Sequence, residues 1–427
     1  MMRSLRLAVA LCVVGRCVCV HAESMTLAQA EEQALRNQPQ LAAAELRARA
    51  SGQRTREARS GYMPTVAFNA TGALVADTGS ATAAGALTTS SVSDRFAYGG
   101  SLVQMVTDFG RTPALVRSAR FEEISQRDVA TYTRAEIRLA VRQSYYDVLA
   151  SEAVLRAAQQ ALDNRRLISR QVSALTQSQL RSTLDLHFAQ VLESQAELAV
   201  VQAQSIVAQR RSALATAIGE NAPVAATLID PSQPSPLPPD ATTLLPDALQ
   251  NRADLQASQA LFSSATQFAK AEQRLSLPTL NVLGAAGQLP YHDHTLRDDY
   301  AAAGFNLNIP IFNGNLFAAR HSEAALEAQA RSKDLQQKTL EVNQQVRDAW
   351  YQADESYRSL DVSERLLQQS EEALRLAQAR YDAGLGSIVE LNEAQLNDTS
   401  ALIGLAQAKY TYLSRRTLLD FASGALN

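Results

Sequence analysis

The stretch from Asn315 to Tyr381 contains neither proline nor glycine, the two residues that most readily end a helix. Within it Val346, Ala353, Leu360, Leu367, Leu374 and Tyr381 recur every seven residues. Val342, Ala349, Ser356, Ser363, Ser370 and Ala377 form a second seam beside them. This is a coiled-coil heptad whose small side chains let helices approach closely. At about 1.5 Å per residue such a helix runs roughly 100 Å, a length no compact domain needs. A dimeric coiled coil has the same local pattern, so the rest of the chain must decide what the helix serves.

The chain is written twice. "VRQSYY" from Val141 answers "VRDAWY" from Val346, "RRSAL" from Arg210 answers "RRTLL" from Arg415, and Gly219 answers Gly424, each pair 205 residues apart. Upstream, "QALRNQPQL" from Gln33 answers "DALQNRADL" from Asp247, and Pro64 answers Pro278, at an interval of 214 residues. The first copy carries its heptad at Val141, Val148, Leu155 and Leu162, fading to Ser169 and Thr176. A repeat of this kind governs the whole fold. It predicts a first repeat over 23–221, a proline-rich linker over 222–245 with "PSQPSPLPP" from Pro231, and a second repeat over 246–427. Each repeat is expected to hold a shorter helical segment (26–60 and 246–275), two strands, and a long helical hairpin (111–219 and 314–423).

The segments between the helices alternate with period two. In "PTVAFNATGAL" from Pro64, Val66, Phe68, Ala70 and Leu74 oppose Thr65, Asn69 and Thr71. In "AGFNLNIPI" from Ala303, Phe305, Leu307, Ile309 and Ile311 oppose Asn306 and Asn308. The four expected strands are 64–74, 96–106, 278–286 and 301–311. About ten residues of this alternation suit a tilted outer-membrane strand, although a soluble sheet with one wet face looks the same locally. Residues 1–22, together with the absence of any later stretch apolar enough for a spanning helix, favour the membrane strand. They read as a secretory signal, with Arg3 and Arg6 before an apolar run and "VHA" before the expected cleavage. Cys12, Cys17 and Cys19 all lie inside it, so neither disulfides nor thiol chemistry are expected, and acylation is not expected either. Four strands cannot close a barrel alone, and lipid does not tolerate an open edge, so several copies must combine.

With duplicated halves, the corner "PIFNG" from Pro310 and its echo "VTDFGR" from Val106, and the pattern YxxGLxSxxELxxA from Tyr381 to Ala394, the chain resembles the TolC family of outer-membrane efflux proteins. The resemblance covers essentially the whole mature sequence. It implies an α+β membrane protein: a trimeric twelve-stranded β-barrel, four strands per protomer, continuing into a long periplasmic coiled-coil tunnel. It implies a homotrimer in the outer membrane, a periplasmic adaptor (membrane fusion) protein, and an inner-membrane pump of RND or ABC type. It implies a passive duct for efflux or type I secretion.

The resemblance also carries residue roles. Glu390 and Glu393 fall at the acidic rings that close the tunnel's periplasmic end; the dipole of the first helical turn would favour them equally well. Tyr381 and Asp185 fall at the lock between hairpins. The lock's arginine falls at Gly386, for which Arg181 is a substitute. Gly384, Leu385, Gly386 and Ser387, with Leu180 and Ser182, fall at the adaptor-contact tips. The first tip has no glycine, so the two tips are expected to differ in shape.

Other function classes find little support. A net charge of −3 argues against nucleic acid. No catalytic constellation or cofactor motif stands out. His292, Asp293 and His294 read as a solvated loop rather than a metal site, and Asp94, Arg95, Arg297, Asp298 and Asp299 as loop charges at the outer rim. Trp350, Tyr351, Tyr145 and Tyr146 read as helix packing. The alternative reading is a periplasmic coiled-coil adaptor or scaffold, which would carry one hairpin flanked by compact β-domains rather than two hairpins and paired strands.

Overall fold

A computed structural model of the chain describes residues 24–74, 80–82, 89–91, 94–231, 236–292 and 297–427. The expected signal segment with its three cysteines, residues 232–235 of the proline-rich run, and Asp293 and His294 lie outside these residues.

The helices are α1 (Leu27–Asn37), α2 (Pro39–Ser60), α3 (Arg111–Gln177), α4 (Thr183–Ile218), α5 (Leu245–Asn251), α6 (Ala253–Gln273), α7 (Leu316–Asp382) and α8 (Ile388–Ala422). The strands are β1 (Ser24–Met25), β2 (Thr65–Ala73), β3 (Ser80–Thr82), β4 (Thr89–Ser91), β5 (Arg95–Thr107), β6 (Thr227–Leu228), β7 (Thr279–Tyr291) and β8 (Asp299–Asn308). The two long helices α3 and α7 are 67 residues each. Two compact units divide the chain: one gathers described residues of 1–37, 140–235 and 360–413, the other those of 38–139, 236–359 and 414–427.

The second unit holds a four-stranded antiparallel sheet in the order β2-β5-β7-β8. Its register puts Val66 opposite Leu102, Leu102 opposite Gly284, and Gly284 opposite Ala303, so one face collects Val66, Phe68, Leu102, Val282, Phe305 and Leu307. These apolar side chains are exposed, Phe68 to 73% and Phe305 to 77%. The opposite face collects Asn69, Ser101, Asn281, Asn306 and Asn308, and the Asn69 amide donates to Ser101 Oγ at 3.2 Å. Tyr300 lies on this face across Gly287 and Gly99, where an added Cβ would meet its hydroxyl within 2.7 Å. An aromatic ring laid over strand glycines supplies packing that glycine cannot. β7 therefore runs five residues beyond its expected end at 286, through Gly287. β8 stops at Asn308, short of the expected 311, because Pro310 has no N–H for the ladder.

Both strand pairs feed their long helices through the same left-handed corner. Phe109 and Gly110 have φ of 52° and 94°, and Gly314 and Asn315, 205 residues on, have 63° and 65°. The Asp108 carboxylate holds the first corner, accepting from Gly110 N–H at 3.1 Å and Thr112 N–H at 2.6 Å.

The expected single helical segments are each split. α1 and α2 part at Gln38 and α5 and α6 at Arg252, both extended with ψ of 115° and 117°. Pro39 explains the first break, since the residue before proline avoids the helical region. The second break has no proline. There Arg252 turns inward to a buried bidentate pair with Asp254, at 2.9 and 2.8 Å, and donates to Gln345. In both repeats the hairpin's terminal glycine seats against the break: a Cβ on Gly219 would lie 2.9 Å from Asn37, and one on Gly424 3.2 Å from Asn251.

In the second unit Val342, Val346, Ala349 and Ala353 pack with Ala248, Leu419 and Ala422, all at most 4% exposed. In the first, Ile168, Val172 and Ala189 of one repeat pack with Ala377, Ile388 and Leu391 of the other. Two serines of the small-residue seam, Ser356 and Ser370, are buried at no polar cost. Ser356 and Ser370 hydroxyls each donate at 2.9 Å to the carbonyl three residues back in their own helix.

The linker is fastened rather than free. β1 pairs in parallel with β6, and the buried Tyr145 hydroxyl lies 2.8 Å from Met25 O and 2.7 Å from Ile229 O. Its counterpart Trp350 donates to Pro238 O at 3.1 Å. Arg211 donates to Val224 O, and its counterpart Arg416 to Pro236 O. The packing expected of Tyr145 and Trp350 thus includes holding the linker on each repeat.

Candidate functional site

The tips of the two helical hairpins lie in the first unit. α7 ends in a Schellman motif, with Leu385 N–H on Arg380 O at 2.8 Å and Gly384 N–H on Tyr381 O at 3.0 Å. Gly384 has φ of 71°. α3 ends the same way, with Leu180 N–H on Leu175 O at 2.8 Å and Gln179 N–H on Thr176 O at 3.0 Å. Gln179 takes the left-handed position at φ 60°. The expected difference between the tips is therefore wrong. Two capping hydrogen bonds outweigh a side-chain penalty of about 1–2 kcal/mol for a non-glycine residue there.

Each returning helix starts on a serine cap. Ser182 Oγ accepts from Leu184 N–H at 3.0 Å, and Ser387 Oγ from Glu390 N–H at 3.1 Å. Leu180 and Leu385 project from the tips, 72% and 74% exposed.

The two acidic positions differ. Arg380 Nε stands 3.2 Å from the Glu390 carboxylate, whereas Glu393 is exposed and has no hydrogen bond or ion pair among the described residues. Gly386 N–H donates to Arg380 O at 3.1 Å, and a Cβ at Gly386 would press within 3.3 Å of Arg380 and Tyr381. The backbone turns tightly there, and Arg380, six residues earlier, is the cation that reaches Glu390. The sequence reading missed Arg380; its sign was a charge six residues before Gly386 on a helix that folds back on itself.

The residues expected at the lock make other contacts. The Arg181 guanidinium lies over the Tyr381 ring, 5.2 Å from its centroid. Asp185, by contrast, makes no hydrogen bond or ion pair among the described residues, so the expected Tyr381–Asp185 link is absent within the chain. Asp185 sits in the first turn of α4, where the helix dipole already favours it. Above the tips, the buried Arg165 of α3 donates to the Asn392 carbonyl and side chain on α8, joining the two hairpins. Burial lowers its pKa, and no carboxylate offsets this.

The remaining candidates stay outside this site. Among the described residues no group of His, Cys, Asp and Glu can hold a metal, and His292 instead bonds Asp298 at 2.9 Å. No described helix is long and apolar enough to cross a membrane.

The family model described as "outer membrane efflux protein" matches residues 31–220 and 244–425, one segment for each repeat. The chain belongs to the outer membrane efflux protein family. Among curated relatives, the toluene efflux pump outer membrane protein TtgC and the antibiotic efflux pump outer membrane protein ArpC, both of Pseudomonas putida, are each 24% identical over 329 residues. Those alignments cover 74% of this chain and 66% of each relative, just under two thirds of the relatives' length. Solved structures give the fold. CusC superposes with a TM-score of 0.82 at 19% identity, covering 93% of this chain and 92% of that one. VceC from Vibrio cholerae superposes with a TM-score of 0.79 at 19% identity, covering 93% and 96%. This efflux-family chain therefore has the fold of those outer-membrane proteins. Its place is the outer membrane, with the helices in the periplasm.

Proposed function

We propose that the chain is the outer-membrane exit duct of a tripartite efflux or secretion system. Solutes delivered by an inner-membrane pump of RND or ABC type cross it chemically unchanged, and a periplasmic adaptor seats on the hairpin tips through Leu180, Leu385 and their neighbours. The observation that carries the reading is a four-stranded sheet whose edge strands β2 and β8 have no strand on their outer side among the described residues, with one face apolar and the other carrying Asn69, Asn281, Asn306 and Asn308. Three copies remove those edges and enclose the polar face as a lumen. An adaptor has no use for an apolar outer sheet face. The detergent-solubilised protein is expected to run as a trimer and to conduct ions in a planar bilayer; a soluble, non-conducting monomer would overturn the proposal.

At the periplasmic mouth, Glu393 is the residue that forms the negative ring. Arg380 neutralises Glu390 within each protomer, so three unpaired charges rather than six focus the potential. Glu393→Ala is expected to weaken block by divalent cations clearly more than Glu390→Ala, and Arg380→Ala to strengthen it. Equal effects of the two glutamate variants would return both to the ring. The Arg181–Tyr381 contact serves as the lock between hairpins, with Asp185 in reserve at the cap of α4.

A further inference from the structure

Helices α2 and α3 enclose a groove of about 920 Å³ lined by six arginines and two glutamates, in a chain of net charge −3. Both glutamates are already neutralised: Glu45 by Arg134 at 3.3 Å, and Glu123 by Arg127. Arg49, Arg56, Arg59 and Arg120 have no carboxylate partner among the described residues, and all four are exposed. Arg56 donates only to Gln53, at 3.3 Å. Four uncompensated positive charges therefore face one depression. Such a concentration of positive charge favours an anionic ligand.

The groove's position says which anion. α2 ends at Ser60 and β2 begins at Thr65, while β5 ends at Thr107 and α3 begins at Arg111. Met63, between α2 and β2, and Phe109, between β5 and α3, are 66% and 54% exposed, and Val66 and Phe68 of the apolar sheet face follow within a few residues of Met63. Arg59 is four residues from Met63 and seven from Val66, and Arg56 is about one helical turn further back. An apolar band giving way to arginines is the profile of a chain leaving hydrocarbon through a layer of phosphate headgroups.

We infer that this groove binds the phosphodiester headgroup of an anionic phospholipid in the membrane leaflet facing the periplasm. Arg56, Arg59 and Arg120 hold the phosphate, and Arg49 extends the positive field up the groove. The acyl chains then lie against the apolar sheet face of Val66 and Phe68. This rests on the membrane placement of the strands but not on the gate or the adaptor.

The test uses the intact trimer exchanged into mixed micelles with equal phosphatidylglycerol and phosphatidylcholine, the retained lipid being measured by mass spectrometry. The wild type is expected to keep phosphatidylglycerol in preference. The variant Arg49→Gln/Arg56→Gln/Arg59→Gln/Arg120→Gln is expected to lose that preference by at least roughly tenfold, given about fivefold for each arginine near an anionic surface. A control with the same charge loss, Arg331→Gln/Arg358→Gln/Arg365→Gln/Arg375→Gln on α7, should retain it. In the wild type alone, the preference should collapse near 1 M salt, where screening acts within about 3 Å. Added inorganic phosphate at lipid concentration should leave it intact. No preference in the wild type, the same preference in the groove variant, insensitivity to salt, or displacement by free phosphate would each overturn the assignment. Bilayer conductance of the groove variant separates the outcomes. A conducting variant without lipid preference supports the groove alone, and a protein that fails to conduct at all counts against the duct instead.

Discussion

Gln179 and Gly384 occupy the same turn in the two repeats, at φ of 60° and 71°. One pays the steric penalty of a Cβ in the left-handed region and the other does not. Gln179→Gly is therefore expected to raise the stability of the first tip by about 1 kcal/mol, and Gly384→Gln to lower that of the second by a similar amount. Thermal unfolding followed by circular dichroism checks both; opposite signs would place the turn's cost elsewhere. The contrast between Glu390 and Glu393 is likewise a residue matter. Spacing alone puts both glutamates one turn apart at the mouth. Only the folded-back end of α7 brings Arg380 to one of them.

At the scale of elements, the split of each short helix is what the terminal glycines need. Gly219 and Gly424 both have φ of 80° and close against the break in the short helix of their own repeat. Gly219→Ala combines strain with a 2.9 Å approach to backbone and is expected to cost at least about 2 kcal/mol. Gly424→Ala, at 3.2 Å, should cost less. Comparing the two melting temperatures tests the order; equal losses would show that φ alone matters. The first break was legible in Pro39. The second was not, because Arg252 is extended through a buried ion pair with a residue two positions on, and no local propensity records that.

At the scale of the molecule, the same Arg252–Asp254 pair links stability to pH. Burial pushes the Asp254 carboxyl up, but the hydrogen bonds and charge of Arg252, aided by Lys338 at 3.4 Å, outweigh it and hold the group below its ordinary value. A carboxyl with a depressed folded pKa contributes stability above its unfolded pKa, near 3.9, and loses it as pH falls through the folded value. The second unit is thus expected to keep this contribution at neutral pH and shed it below about pH 4. Asp254→Asn should flatten that part of the acid-unfolding curve, and an unchanged acid limb would remove the pair from the account. Arg252→Ala, which leaves the buried Asp254 carboxylate with Lys338 as its one remaining cation among the described residues, should cost about 3 kcal/mol at neutral pH.

Periodicity and repetition determined most of the architecture from the sequence alone. Heptads without proline or glycine specify long helices whatever surrounds them, period-two alternation specifies strands, and a doubled pattern specifies two matching halves. These are local properties of the backbone and of side-chain spacing, so they need no partner to be read. The tertiary structure decided what depends on neighbours distant in sequence. It gave Gln179 a glycine's conformation because two capping bonds hold it there. It gave Tyr381 the cation of Arg181 rather than Asp185, and it left Glu393 rather than Glu390 uncompensated. A charge is neutral or free only with respect to what stands within a few ångströms of it, and that distance is set by the fold.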